Sequence, residues 1–340
     1  MKTHRNFSFF VPHAGCPNCC VFCSQTKITG VDSDKCLDDE VKELRAMLES
    51  GIGEFGESQI AFFGGSFTAI DRTRMETLLS VANEYIDKGV AESIRISTRP
   101  DCIDGDILSL LEKYRVRNIE LGVQSTSDKV LASSSRGHTA KASFDAARMI
   151  TDRGFVFGGQ MMVGLPGSTL EDELKTAGDI VKMGAGEARI YPTVVFEETK
   201  LCEMTENGQY EPLTLDDAVE RTAKCCKIFL DAGVKILRIG LHASENLKNA
   251  KSGANHPSLG ELVKSRVYTE IIAERAGNCE GKTLSVGIRK NDISMLTGYG
   301  GCAIERIKEQ TGADEIEIYP TDTARFEPEL TKKECVKNAP

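Results

Sequence analysis

Four cysteines crowd into eight positions of this chain, in the run Cys16-Pro17-Asn18-Cys19-Cys20-Val21-Phe22-Cys23. Cys16, Cys20 and Cys23 have the spacing C-x3-C-x2-C and directly follow an apolar run at 7–11. Three thiolates on one tight loop can hold three irons of a [4Fe–4S] cluster and leave the fourth iron without a protein ligand. An iron left open in this way is where a substrate or cofactor binds. Zinc is the competing reading: it takes four ligands and Cys19 can supply one, but four thiolates this close are awkward to arrange tetrahedrally. A redox-inert cysteine knot is the third. Spacing and placement favour the open cluster, with Cys16, Cys20 and Cys23 as metal ligands and Cys19 dispensable. The other eight of the twelve cysteines are scattered and read as small hydrophobes. Cys225 and Cys226 are adjacent in a helical pattern, point to different faces and are poor candidates for a shared metal.

Further polar residues fall where apolar runs end. Gly64 and Gly65 follow Ile60-Ala61-Phe62-Phe63, and glycine lets a backbone approach a ligand closely with its N–H and C=O unobstructed. Arg99 ends a third run and presents a planar, permanently charged fork suited to a carboxylate or ribose. Gln124 ends a fourth run and Gln160 lies inside a fifth. His138 stands at a helix start, as fit for a capping or structural role as for chemistry. Ser168 or Thr169 can cap the helix that follows Gly164-Leu165-Pro166-Gly167. Tyr191 lies in the sixth run, on the side where the other runs end.

The elements that must position these residues are legible as an alternation. Apolar runs at 7–11, 60–63, 93–97, 119–123, 155–163 and 189–195, with a further one at 235–241, are separated by amphipathic stretches at 37–48, 74–88, 107–114, 140–153, 170–183 and 213–231. Strand–helix alternation of this length implies right-handed βαβ units and a parallel sheet. Six units in about two hundred residues suit a partial (βα)6 barrel, with its chemistry at the C-terminal ends of the strands. The polar, turn-rich stretch 247–257 reads as a linker. It divides the chain into a barrel at 1–246, a linker and helix at 247–280, and a small α/β domain at 281–340 with a βααβ-like order.

Composition narrows the classes. The 340 residues are 40% hydrophobic and 27% charged, which excludes a disordered chain. No apolar run approaches the ~18–20 residues needed to span a bilayer, and the N-terminus lacks the apolar core of a secretory signal. A cytoplasmic protein with no membrane partner is expected. A net charge of −9 argues against polyanion binding by bulk charge.

C-x3-C-x2-C with Phe22 before its third cysteine resembles the signature of radical S-adenosylmethionine (SAM) enzymes. The ordered series Gly64-Gly65-Ser66-Phe67-Thr68-Ala69-Ile70, Thr98-Arg99-Pro100-Asp101, Glu120-Leu121-Gly122-Val123-Gln124-Ser125, Arg136-Gly137-His138-Thr139, Met161-Met162-Val163-Gly164-Leu165-Pro166-Gly167-Ser168-Thr169 and Ile190-Tyr191-Pro192-Thr193 closely resembles the radical SAM half of the Elongator catalytic subunit and its shorter bacterial relatives. The similarity covers about residues 5 to 245. It implies a radical SAM barrel that uses SAM and a [4Fe–4S] cluster, reduced by a flavodoxin- or ferredoxin-type donor. The resulting 5′-deoxyadenosyl radical abstracts hydrogen from a substrate. By the same resemblance Phe22, Gly64, Gly65, Ser66, Arg99, Gln124 and Gln160 line the SAM pocket. Many relatives carry Glu where this chain has Ser66, so backbone atoms take the contact there, and position 160 is often His, Asp or Asn. Longer relatives also carry a basic N-terminal extension and an acetyltransferase domain. Neither falls within the resemblance, so acetyl-CoA-dependent modification by this chain alone is not expected.

The segment 293–313 resembles the minimal core of a KH nucleic-acid-binding domain, in which a G-x-x-G loop joins two helices and lets phosphates lie against the backbone. Here that loop is Gly298-Tyr299-Gly300-Gly301. Residues 281–340 hold nine Lys and Arg against ten Asp and Glu, a net of −1 that gives no long-range pull on phosphate. RNA contact and a module that packs on the barrel or binds protein both remain open. The expected substrate is an RNA base, with transfer RNA as partner. The alternatives are a small metabolite, as in coproporphyrinogen-oxidase-like relatives, or a non-catalytic cluster-bearing RNA-binding scaffold. The oligomeric state is not written in the sequence.

Overall fold

Seven strands pair side by side, all parallel, into one half-barrel sheet in the order β1-β2-β3-β4-β5-β6-β8. They are β1 (Arg5–Val11), β2 (Ser58–Gly64), β3 (Ser93–Thr98), β4 (Val116–Gln124), β5 (Val156–Val163), β6 (Glu187–Pro192) and β8 (Lys235–Ile239), with β7 (Val194–Phe196) outside the sheet. The computed structural model describes residues 5–11, 16, 20–23, 36–52, 58–241 and 250–334. Cys19 and Cys335 lie outside the described residues. The chain divides into two units, Met1–Leu215 with Ile228–Asn255 and Asp216–Lys227 with His256–Pro340.

Parallel neighbours need crossovers, and a helix lies between each successive pair: Leu37–Glu49, Arg72–Asp87, Gly105–Lys113, Ala140–Asp152, Leu170–Lys182 and Leu215–Asp231. Local chemistry starts them. Asp71 accepts from the Arg74 N–H and Asp104 from the Ile107 N–H. Thr169 and Asp172 form a capping box, so Thr169 caps the helix and Ser168 does not. At the helix from Ala140 the cap is likewise Thr139, not His138.

Period-two alternation sorts the strand residues between two faces. Ile94, Ile96, Ile119, Leu121, Phe157 and Ile190 are buried on one face. Their neighbours Arg95, Ser97, Glu120, Gly122, Gln160 and Arg189 line a cavity on the other. The sheet therefore has an apolar face and a polar, hollow one.

The six strand–helix units form the sheet as read, and the further run at 235–241 pairs with β6 as its seventh strand. Two expectations need correction. The run at 189–195 is two strands: β6 ends at Pro192, which has no N–H to continue a ladder, and β7 begins at Val194. β7 then pairs antiparallel with β9 (Ala250–Gly253), so the described part of the stretch read as linker includes a strand.

In the second unit the helix Leu259–Ala276 is followed by β10 (Lys282–Arg289), the helices Ile293–Thr297 and Cys302–Thr311, β11 (Glu315–Thr321) and β12 (Glu329–Glu334). The βααβ order is as read, and β12 adds an antiparallel edge to the parallel pair β10 and β11. The helix Leu259–Ala276, read as part of the connector, contributes Tyr268, Ile272 and Ala276 to the same core as Leu284, Val286 and Ile307. Fully buried Asp292 accepts from the Tyr268 hydroxyl at 2.9 Å and from Arg325 at 3.0 and 3.2 Å, which compensates its charge.

Candidate active site

A cavity of about 640 Å³ opens on the polar face of the sheet. Cys16, Cys20, Cys23, Phe22, Gly64, Gly65, Ser66, Arg99, Gln124 and Gln160 all line it, as does Tyr191, whereas His138, Ser168 and Thr169 do not. The cysteine loop is pinned on both sides. The Val21 N–H donates to the Ser134 carbonyl at 3.1 Å, and the Val21 carbonyl accepts from the Leu201 N–H at 2.8 Å. Phe22 packs against the cluster of Val21, Val195, Leu201 and Cys202.

Gly64 ends β2 with φ +118°, and a Cβ there would fall on the Val11 carbonyl oxygen. Its close approach is to the neighbouring strand that leads into the cysteines, so the requirement for glycine at 64 is internal. Ser66, 1% exposed, is used internally as well: its hydroxyl meets the Thr98 hydroxyl at 2.7 Å and accepts from the Arg99 N–H at 3.2 Å. Thr68 meets the same Thr98 hydroxyl at 2.6 Å, and these bonds fix the end of β3.

Arg99 is buried, and most of its fork is already committed. Nε and Nη2 each lie 2.9 Å from the Asp101 carboxylate, and Nη2 also donates to the Arg136 carbonyl. Burial raises the proton affinity of Asp101, but the Arg99 fork outweighs it and holds the carboxyl below its ordinary range. Among the described residues Arg99 Nη1 remains buried without a hydrogen-bond partner, as does Arg136 Nε. Gln124 presents another such atom, its buried Oε1. Its backbone has φ +63°, and the β4–β5 register slips beside it. A left-handed glutamine is a strained conformation of the kind that gathers at functional sites. The Gln160 amide has no hydrogen bond among the described residues.

Arg136 lies within one of the ordered motifs, and nothing in the sequence gives it a role. Its Nη2 donates to the Gly122 carbonyl at 2.7 Å, and its Nη1 lies 3.4 Å from the Cys20 sulfur. The guanidinium thus places a fixed positive charge against one of the three thiols. His138 is buried beside it, and burial followed by the Arg136 charge pulls its imidazole down to about 4. Burial pushes the Cys16 thiol and the Tyr191 phenol up. No three Cys, His, Asp or Glu among the described residues converge on a single-ion position. A cubane spreads its iron-bound thiolates over a whole face, so a cavity wall with three cysteines suits the larger group.

Below the strand ends the cavity floor is ionic. Arg95, 2% exposed, donates to Glu120 at 2.8 Å and to Glu187 at 2.6 and 3.1 Å. Arg189 holds Glu120 through Nε and Nη2 at 2.6 and 3.2 Å, and its guanidinium lies 5.0 Å from the Phe63 ring centre. Nothing in the sequence pattern singles out this network, because its members are up to 92 residues apart.

The G-x-x-G loop lies in the second unit. Gly300 and Gly301 have φ +70° and +79° with open space where a Cβ would be, so the turn needs glycine for its backbone conformation. A Cβ on Gly298 would press on the Ser294 carbonyl oxygen at 2.5 Å. Among the scattered cysteines, Cys202, Cys225, Cys226 and Cys279 are buried as read, whereas Cys36 and Cys302 are exposed. No helix among the described residues is long and apolar enough to cross a membrane.

Comparison with known proteins agrees with this geometry. The radical SAM superfamily model matches residues 10–180, and the radical SAM C-terminal domain model matches 187–269. The chain is 31% identical to a tRNA uridine(34) acetyltransferase of Methanocaldococcus jannaschii over 49% of its own length and 31% of that protein. It is 30% identical to human Elongator complex protein 3 over 55% of its length and 34% of that protein. Its matches span between 31% and 61% of the curated relatives' own lengths. Among solved structures, archaeal Elp3 of Methanocaldococcus infernus shares the fold with a TM-score of 0.60 at 22% identity, covering 78% of this chain and 63% of that one. Streptococcus suis SuiB follows at 0.52 and 12%, covering 72% and 50%. With its cysteines on the wall of a parallel half-barrel and half of its length matched, the chain is an enzyme that belongs to the radical SAM superfamily.

Proposed function

We propose that the cavity binds SAM against a [4Fe–4S] cluster held by Cys16, Cys20 and Cys23. One observation carries this reading: the three cysteines share a cavity with Arg99 Nη1, Gln124 Oε1 and Arg136 Nε, buried polar atoms that have no hydrogen-bond partner among the described residues. Leaving such atoms buried and unpaired costs about 1–3 kcal/mol each, a cost that a bound ligand relieves. Arg99 Nη1 is a donor and suits a carboxylate or ribose oxygen. Gln124 Oε1 is an acceptor and suits a hydroxyl or amine. The Ser66 hydroxyl is engaged within the protein, so this corner is left to backbone groups of Gly65 and Ser66. Gln160 offers an uncommitted amide, and Phe22 closes the wall with apolar surface. Arg136 offsets negative charge at Cys20.

When bound, the cluster and SAM supply a 5′-deoxyadenosyl radical for hydrogen abstraction, with one electron from a flavodoxin- or ferredoxin-type donor. The protein holds the reactants in register and keeps water out. After anaerobic reconstitution and reduction, the enzyme should release 5′-deoxyadenosine slowly without substrate. A protein that takes up iron and sulfide yet yields none would overturn the proposal.

A transfer RNA substrate is the finer reading, supported by relatives named as tRNA-modifying proteins and by the open backbone at Gly300 and Gly301. With few phosphate contacts available, binding should be weak and lose only about tenfold between 50 and 200 mM salt. Gly300→Asp with Gly301→Asp should weaken it further in mobility shifts with bulk transfer RNA. Equal binding by both proteins would remove the loop as an RNA contact, and no binding at low salt would favour a small-molecule substrate.

A further inference from the structure

In a chain of net charge −9, the cavity wall carries the opposite sign. Its lining includes six cationic side chains, Arg95, Arg99, Arg136, Arg189, Lys235 and Arg238, against one carboxylate, Glu120. Four of the six are accounted for. Arg95 and Arg189 are held by Glu120 and Glu187, Arg99 by Asp101, and Arg136 by the Gly122 carbonyl and the Cys20 sulfur. The side chains of Lys235 and Arg238, both on β8, have neither an ion pair nor a hydrogen bond among the described residues.

The strand register makes Arg238 the more telling of the two. Lys235 stands opposite Glu187, an opposite-charge pair whose field helps keep Glu187 ionised. Arg238 stands opposite Arg189, a like-charge pair, which neighbouring strands ordinarily avoid. It arrives there because the register shifts between Ala188 and Arg189, so that Ile236 and Arg238 become the successive partners and Leu237 is the extra residue. Bulges of this kind re-aim side chains next to active sites. Here the bulge sets a second guanidinium beside the first, on a wall that also presents Tyr191 and Leu237. Arg189 is turned to Glu120 and the Phe63 ring, which leaves Arg238 half-buried, charged and without a carboxylate partner among the described residues.

We infer that Arg238, with Lys235 beside it, receives an oxyanion of the substrate, a carboxylate or a phosphate, on the β6–β8 wall of the cavity. The inference rests on the cavity being the reaction site, and it deepens that reading by assigning the substrate a negative group. An oxyanion there supplies the carboxylate-like partner that Arg238 lacks, and the planar guanidinium fork fits either group with two parallel hydrogen bonds.

Arginine footprinting of the reconstituted wild-type enzyme with phenylglyoxal, read by peptide mass spectrometry, tests this without a variant. In the free enzyme Arg238 should react, and Arg148, which is 70% exposed, serves as reference. Millimolar phosphate or succinate should slow modification of Arg238 by roughly tenfold relative to chloride of equal ionic strength, while Arg148 is unaffected. Protection by phosphate alone assigns a phosphoryl-bearing substrate, by succinate alone a carboxylate, and by both a site for either. An Arg238 that is inert in the free enzyme, or protected no better by either anion than by chloride, overturns the inference. In parallel, the thermal shift given by the protecting anion should be lost in Arg238→Gln and retained in Arg238→Lys. SAM titration of the same wild-type preparation reports separately on the underlying reading, so either can fail without the other.

Discussion

Replacing Glu120 with glutamine tests whether the ionic floor of the cavity holds the barrel together. The carboxylate is 3% exposed and accepts three charged hydrogen bonds, from Arg95 at 2.8 Å and from Arg189 at 2.6 and 3.2 Å. Glutamine keeps the shape but removes the charge and turns an N–H₂ toward one of the two guanidinium groups. Arg95 retains Glu187, whereas Arg189 is left with no carboxylate and with Arg238 opposite. Stranding one partner of a buried ion pair costs about 3–5 kcal/mol. The Arg189 side chain is 14% exposed and reaches the cavity, where water can screen it, so the lower end applies, about 3 kcal/mol. For a unit of this size that lowers the melting temperature by roughly 6–12 °C. Thermal unfolding followed by circular dichroism at matched pH and salt measures it. The double variant Glu120→Gln with Arg189→Gln should recover part of the loss, because the stranded charge is gone as well. A single variant within about 2 °C of wild type, or a double variant as low as the sum of the two singles, would refute the reasoning.

Gly64→Ala should destabilise the barrel by about 2–4 kcal/mol in urea unfolding, since φ +118° is strained for alanine and the new methyl meets a backbone carbonyl. A variant of unchanged midpoint would show that β1 yields there. His138 has a folded-state value of about 4 against about 6.5 in the unfolded chain, so between these pH values the unfolded state binds more protons. Stability of the cluster-free protein should therefore fall by up to about 3 kcal/mol as pH drops from 6.5 to 4, and His138→Gln should flatten that limb relative to wild type. Anaerobic iron and sulfide analysis should find a full cluster in Cys19→Ala and none stably held in Cys16→Ala, Cys20→Ala or Cys23→Ala. The opposite pattern at positions 19 and 16 would reassign the ligands.

The strand positions were legible because each element carries its own periodicity: apolar runs of four to nine residues, with alternate residues turned to opposite faces. The cavity residues were legible for the same reason, since they fall at strand ends or on one alternating face. Features that depend on partners distant in sequence were not. Arg95 meets Glu187 across 92 residues, and no local spacing marks either as paired. Arg136 finds Cys20 across 116 residues. The left-handed backbone of Gln124 follows from a register slip against β5, which one strand's sequence does not encode. The departure of β7 after Pro192 had a visible signal in the proline, but the apolar residues beyond it carried the strand reading past the break. Likewise Ala250-Lys251-Ser252-Gly253 is too polar to read as a strand, and it becomes one only because β7 offers it a free edge.

Electron paramagnetic resonance of the reduced wild-type enzyme reads out whether SAM binds at an open cluster in this cavity. Without SAM, the spectrum should be that of a reduced [4Fe–4S] cluster. Adding SAM should change its shape, because a ligand joins the open iron, whereas adding S-free adenosine should not. A cluster spectrum that is identical with and without saturating SAM would mean that SAM does not join the cluster.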